Sequence, residues 1–289
     1  MRNLQALREN FITEADREIR MTSCKAYQSW KESQIKTLED LRNKQFFMLF
    51  SGGKDSSLAL DFMLKASKEL RFELEVHAGI FPVHRYPDEE MEKIGSYWER
   101  RGVTVNWHKL ADTDSKIENT DTPCIVCQEL RKEVLNIVLS KLVKDWKDLI
   151  IVTSYSLWDI VSYSLEEILS EKLGSSPKGH SGSDRFLTTA QRFYPLLEMK
   201  EGFKIYRPLI RYNSNNILEV LKSLKIPFIT RECKFETSRP KRILEKYYQN
   251  MGMVFDYERV FRFARECLDL PGTESYDNFD REKYLLKVF

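Results

Sequence analysis

Residues 46 to 57 read Phe46-Phe47-Met48-Leu49-Phe50-Ser51-Gly52-Gly53-Lys54-Asp55-Ser56-Ser57. The apolar run suits a buried strand, the two glycines a tight turn, and the residues from about Asp55 a helix. Gly52 and Gly53 allow positive φ and leave room for an anion to approach the backbone. The N–H groups of the turn and of the first helical turn then point at that anion. Lys54 adds a mobile positive charge, while Ser51, Ser56 and Ser57 add hydroxyl donors. Phosphate binding is the reading, and a serine-capped glycine turn is the plainer alternative.

Working outward from this stretch, strands and helices alternate. The pattern predicts strands at Phe46–Phe50, Leu74–Phe81, Val103–Leu110, Leu149–Thr153 and Ile205–Ile210. Helices are expected from Asp55 to Leu70, Asp88 to Arg101, Pro123 to Trp146, Trp158 to Leu173 and Asn215 to Leu224. Residues 174–184, rich in Gly and Ser, read as a loop. The fold class is therefore α/β, a doubly wound parallel sheet with ligands at the carboxyl ends of its strands. Residues 1–44 form an N-terminal helical appendage, 45–230 the α/β domain and 231–289 a helical C-terminal region.

The net charge of +2 carries no global nucleic-acid signature. Between Lys204 and Lys246, however, eleven lysines and arginines face four glutamates, which suits either a polyanion surface or a solvated, balanced face. No apolar run approaches the ~18 residues of a membrane helix. The charged N-terminal stretch has no apolar signal region, so a cytoplasmic protein without a membrane segment is expected.

Five cysteines, Cys24, Cys124, Cys127, Cys233 and Cys267, are an odd number for a disulfide framework. Cys124 and Cys127 open the long helix, three apart and on one side of it. The helix N-terminus, with Arg131 and Lys132, favours their thiolates. A lone CxxC fits zinc, a redox pair, an iron–sulfur cluster or chance.

The string SGGKDSS resembles the pyrophosphate loop of the N-type ATP pyrophosphatases, the PP-loop superfamily. It is not a Walker A loop, which needs four residues between its first glycine and Gly-Lys-Ser/Thr. The CxxC within CIVCQELRK, IYRPL at 205–209, and IPFITRECKFETSRP with its third cysteine, Ser238 and Pro240 resemble the iron–sulfur-dependent tRNA 2-thiocytidine and 2-thiouridine synthetases. The similarity runs from about residue 45 to 250. It implies ATP held by Ser51, Gly52, Gly53, Lys54, Asp55, Ser56 and Ser57, with Mg²⁺ bridging its phosphates. It also implies a [4Fe–4S] cluster on Cys124, Cys127 and Cys233.

The activity so implied is adenylation of a nucleobase carbonyl, in tRNA or in a free base or nucleotide, followed by replacement of oxygen by sulfur. Lys54, Asp55, Arg131 and Asp159 are the candidate catalytic residues, with Asp55 alternatively a helix cap. A sulfide donor such as a cysteine desulfurase system is the implied partner, and a homodimer is compatible with the family. Where that family carries Gly-His-Asn/His-x-Asp-Asp, this chain reads Ser154-Tyr155-Ser156-Leu157-Trp158-Asp159. Tyr155 and Trp158 turn this corner aromatic and suggest a flat, stacked ligand, with Trp158 alternatively a core residue at a helix start. A sulfonucleotide-reductase-like enzyme and a non-catalytic nucleotide- or RNA-binding regulator are the competing functions.

Overall fold

The computed structural model describes residues 14–109, 114–173, 187, 189–236, 240–277 and 279. The expected loop over 174–184, and Ser238, lie outside these residues. In chain order the elements are α1 (Glu14–Leu41), β1 (Gln45–Leu49), α2 (Lys54–Leu70), β2 (Leu74–Ile80), α3 (Asp88–Glu99), β3 (Val105–Lys109) and α4 (Ser115–Glu118). There follow α5 (Pro123–Leu142), β4 (Leu149–Val152), α6 (Leu157–Leu173), β5 (Leu196–Glu198), β6 (Lys204–Tyr206), α7 (Ser214–Leu224), α8 (Pro240–Asn250) and α9 (Tyr257–Cys267).

The six strands form one sheet in the order β3-β2-β1-β4-β6-β5. All neighbours are parallel except β5, which runs antiparallel to β6 at the edge. The chain leaves β1 towards β2 and β3 on one side and returns to β4 on the other, so the order reverses between β1 and β4. Such a switch point opens a crevice at the carboxyl ends of its strands. The glycine loop follows β1 and so lies at that crevice.

Alternate strand residues face opposite sides of the sheet, and both sides are covered. Phe46, Met48, Val76, Ala78, Ile150 and Val152 pack with α1, α2, α3 and α7 in one core. Phe47, Ile151 and Ile205 pack with Val134, Val138 and Leu139 of α5 in the other. α1 is built into the first core through Tyr27, Trp30, Leu38 and Leu41. Trp30 stacks near Tyr27 and Phe62, and its indole N–H donates to the Pro208 carbonyl at 2.8 Å.

Three differences from expectation have physical reasons. α5 stops at Leu142 because Val143 turns extended, and Asp145 then caps a 3-10 turn by accepting from the Lys147 amide. The sixth strand ends at Tyr206, since the Arg207 amide donates to the Pro195 carbonyl and Pro208 follows. The short β5 was not expected; its three residues offer too little pattern to read. Among the described residues no helix is long and apolar enough to cross a membrane.

Replacing Trp30 by alanine removes a side chain that is 1% exposed together with its hydrogen bond, and is expected to cost ~3–5 kcal/mol. Urea denaturation checks this, and a loss below ~1 kcal/mol would show that α1 is not part of the cooperative unit.

Candidate active site

The loop is shaped by its glycines. Gly52 has φ +66°, and a Cβ there would lie 2.6 Å from Ile229 Cδ1. The Gly52 carbonyl accepts from the Ile229 amide at 2.7 Å, which ties the loop to the segment after α7. Gly53 precedes α2 in an extended conformation, and no side chain caps the helix there. The first-turn N–H groups of α2 are thus left for an anion. The loop braces itself through Ser51 Oγ and Ser56 Oγ at 3.1 Å, while Ser56 Oγ donates to the Gly53 carbonyl at 3.0 Å. Ser57 is fully buried, and its Oγ has no hydrogen-bond partner among the described residues. Such an orphaned hydroxyl at a helix start suits a bound phosphate oxygen. Lys54 Nζ rests on Asp55, at 2.7 and 2.9 Å from its two oxygens.

Asp159 follows β4 across the crevice and is buried. Its Oδ2 accepts from both the amide and the hydroxyl of Ser156, at 2.6 and 2.7 Å, which satisfies the backbone N–H just before α6 and makes one half of a capping box. Its Oδ1 pairs with Lys241 of α8. Lys241 also lies 3.7 Å from Glu245, which Arg242 holds at 2.7 Å. Burial pushes the Lys241 ammonium below the ordinary lysine range; Glu245 and Asp55 oppose this, while Arg242 adds to it. Burial alone would raise the Glu245 carboxyl, but Lys241, Arg242 and Lys54 together hold it below the usual range. Lys241 and Glu245 were not recognised as site residues from the sequence. The only signal was their place in the basic stretch, which does not reveal that both point inward.

The three cysteines share one neighbourhood. Cys124 Sγ lies 3.8 Å from the Phe235 carbonyl, and Cys127 and Phe235 both pack against the small cluster of Phe81, Ile117 and Leu130. Phe235 is two residues beyond Cys233, and all three cysteines are half-buried. The Cys233 loop is pinned by His84, which accepts from the Lys234 amide at Nε2 and donates from Nδ1 to Asp114 at 2.7 Å. Burial alone would raise the Asp114 carboxyl; the backbone and ring N–H groups of His84 and the Val83 amide overcome it and hold it low. Among the described residues no three Cys, His, Asp or Glu side chains are drawn together as an ion-holding group. The thiols therefore share a region without a closed coordination shell. Their chemistry fits an iron–sulfur cluster: three soft sulfur ligands, two of them at a helix start.

Arginines connect the two regions. The Arg85 guanidinium has its pKa lowered by burial first and then by Arg131 and Arg242, with Tyr86 and Cys233 acting the other way. Arg131 is exposed on α5, on the same helix face as the cysteines. The aromatic corner divides. Trp158 is core, its indole N–H donating to Asn213 at 3.1 Å and its ring edge-on to Tyr248, so it cannot stack on a ligand. Tyr155 is half-exposed, with the Arg192 and Arg207 guanidinium groups 5.7 and 5.9 Å from its ring centre. Nor does the basic stretch present a bare cationic face. Lys204, Arg211, Lys234 and Lys246 pair with Glu198, Glu258, Glu118 and Glu236, and Arg207 is buried against Gln191 and the Tyr194 carbonyl.

No family model matches the chain, and no curated protein sequence matches it. Solved structures do. The U34-tRNA thiolase NcsA from Methanococcus maripaludis, solved with its [4Fe-4S] cluster, is 16% identical, with a TM-score of 0.58 over 84% of this chain and 82% of that one. The chain has the PP-loop fold. An NMN synthetase from Francisella tularensis is 14% identical, with a TM-score of 0.42 over 91% of this chain and 97% of that one. The doubly wound sheet expected from the sequence is thus the fold found, with the PP-loop at its switch point.

Gly52→Ala tests the PP-loop geometry. The left-handed conformation alone is expected to cost ~1–2 kcal/mol, with the Ile229 contact adding to it. In denaturant titrations against Ile229→Ala as the background, which has its own cost as a core truncation, Gly52→Ala should lose only the conformational part. No loss in that background would show that φ at Gly52 is unstrained.

Proposed function

We propose that this protein is an ATP-dependent sulfurtransferase that adenylates a nucleobase carbonyl, in tRNA or in a free base or nucleotide, and exchanges its oxygen for sulfur. The observation that carries the reading is the pairing of an intact PP-loop with three cysteines gathered around Phe235, joined through the Ile229–Gly52 bond. The PP-loop fold shared with a thiolase supports it.

In this reading the loop N–H groups and Ser57 hold the β,γ-phosphates of ATP. Lys54 swings from Asp55 to the phosphates and stabilises charge on the departing pyrophosphate. Asp55 is then free to hold the Mg²⁺ that accompanies the nucleotide. A carbonyl oxygen of the acceptor attacks the α-phosphorus, the bond to pyrophosphate breaks, and the base becomes an adenylated intermediate. Sulfur then replaces AMP at the same carbon. Cys124, Cys127 and Cys233 would hold a [4Fe–4S] cluster, which supplies an iron without a protein thiolate where sulfide is taken up. Arg131 and Arg85 lie between the two regions and suit the acceptor's or the adenylate's negative charge. Tyr155 offers the half-exposed ring of the corner, whereas Trp158 does not.

The test is anaerobic incubation with ATP and sulfide, comparing bulk tRNA with free purines and pyrimidines and identifying products by mass. A thiolated product with stoichiometric AMP is expected; absence of AMP with every acceptor would overturn the reading. Lys54→Ala should lower AMP formation at least about a hundredfold while leaving visible absorption intact. Anaerobically reconstituted protein should be brown, and Cys124→Ala should lose the colour. A colourless wild type carrying one zinc would sink the cluster assignment.

A further inference from the structure

The C-terminal helix α8 places a buried ammonium beside the PP-loop, although the loop already has its own lysine. Lys241 is 9% exposed and is held by Asp159 and Glu245. The charged and titratable groups facing it come from four elements. α6 gives Asp159 and the Tyr163 ring, whose centre is 5.5 Å from Nζ. α8 itself gives Glu245 and Arg242, the start of α2 gives Asp55, and the turn before α6 gives Tyr155. Lys54 in turn acts on Glu245. An alternating row of cations and carboxylates thus runs from the PP-loop to α8.

We propose that Lys241 is a positioning residue for the nucleotide: by neutralising Asp159 and Glu245 it lets a polyanionic triphosphate settle on the PP-loop beside two buried carboxylates. The inference rests on reading that loop as an ATP site. Without Lys241, Asp159 keeps only its Ser156 donors and Glu245 only Arg242 and Lys54, so buried negative charge opposes an incoming triphosphate and competes for Lys54, which the phosphates need. Removing one partner of a buried pair leaves charge uncompensated, and the escape open to a carboxylate is to take up a proton. The sign follows for Glu245. Losing Lys241 moves its carboxyl up from the lowered position, so lower pH favours its neutral, harmless form, and higher pH its ionised form, which opposes the nucleotide. In the wild type Glu245 is held below the usual range and is compensated throughout, so this pair imposes no such trend.

The experiment is calorimetric titration of the full chain with ATP at about pH 6 and about pH 8, for wild type, K241M and K241M/E245Q. Taking the ratio to wild type at each pH cancels the nucleotide's own titration. K241M is expected to bind ATP about tenfold more weakly at the higher pH, with the gap closing at the lower. K241M/E245Q removes one charge of each sign and should bind more tightly than K241M at the higher pH, with Asp159 keeping part of the deficit. A folded K241M with wild-type affinity at both values overturns the inference, as does a loss that Glu245→Gln does not relieve. If K241M alone fails to fold, D159N/K241M/E245Q, which removes the cation together with both carboxylates, carries the test: near-wild-type binding upholds the inference, and a tenfold deficit overturns it. A wild type that binds no ATP overturns the parent reading of the loop instead.

Discussion

One backbone hydrogen bond, from the Ile229 amide to the Gly52 carbonyl, holds the two halves of the site in register. It requires Gly52 to turn its carbonyl outward with positive φ, and the same turn frees the following N–H groups for an anion. Ile229 is four residues before Cys233, so even fully extended chain places that cysteine within about 14 Å of the bond. His84 and Asp114 then fix the loop from the other side, at the end of β2. The glycine loop and the Cys233 segment are thereby linked through a few residues of backbone. That economy makes Gly52 more than a loop residue: a side chain there meets Ile229, the residue that anchors the Cys233 segment.

The parts of this arrangement that were legible in the sequence are the local ones. Ser51–Ser57 carries its strand, turn and helix start in consecutive residues, and the i,i+3 spacing of Cys124 and Cys127 declares a shared helix face. β4, and β1 from Phe46 onward, are wholly apolar because both sides of a parallel sheet are covered, so they stood out. What escaped notice is non-local. Asp159 meets Lys241 only because α8 packs on α6, and no spacing rule links positions 82 residues apart. Trp158 looked like a ligand platform for the same reason. Its side chain is committed to Asn213 and Tyr248, both distant in the chain. The basic stretch left two readings open, since charge counted along a sequence does not reveal which groups turn to carboxylates; the ion pairs of Lys204, Arg211, Lys234 and Lys246 favour the balanced face.

Asp55 and Asp159 illustrate how two carboxylates at one crevice are separated by their surroundings. Asp159 has both oxygens engaged, one by Ser156 and one by Lys241, and it is almost fully buried. Any group seeking its oxygens must displace a helix cap or a buried ammonium, each a costly exchange. The two bonds from Ser156 account for an aspartate at this position, whatever chemistry takes place nearby. Asp55 has its ion pair with Lys54, its neighbour in the chain. Its side chain is also the more exposed of the two. Asp55 is therefore the carboxylate with the freer side chain, while Asp159 is fixed by Ser156 on one side and Lys241 on the other. The corner after β4 thus carries an internal salt link, and the helix that supplies its lysine is the one that follows the third cysteine.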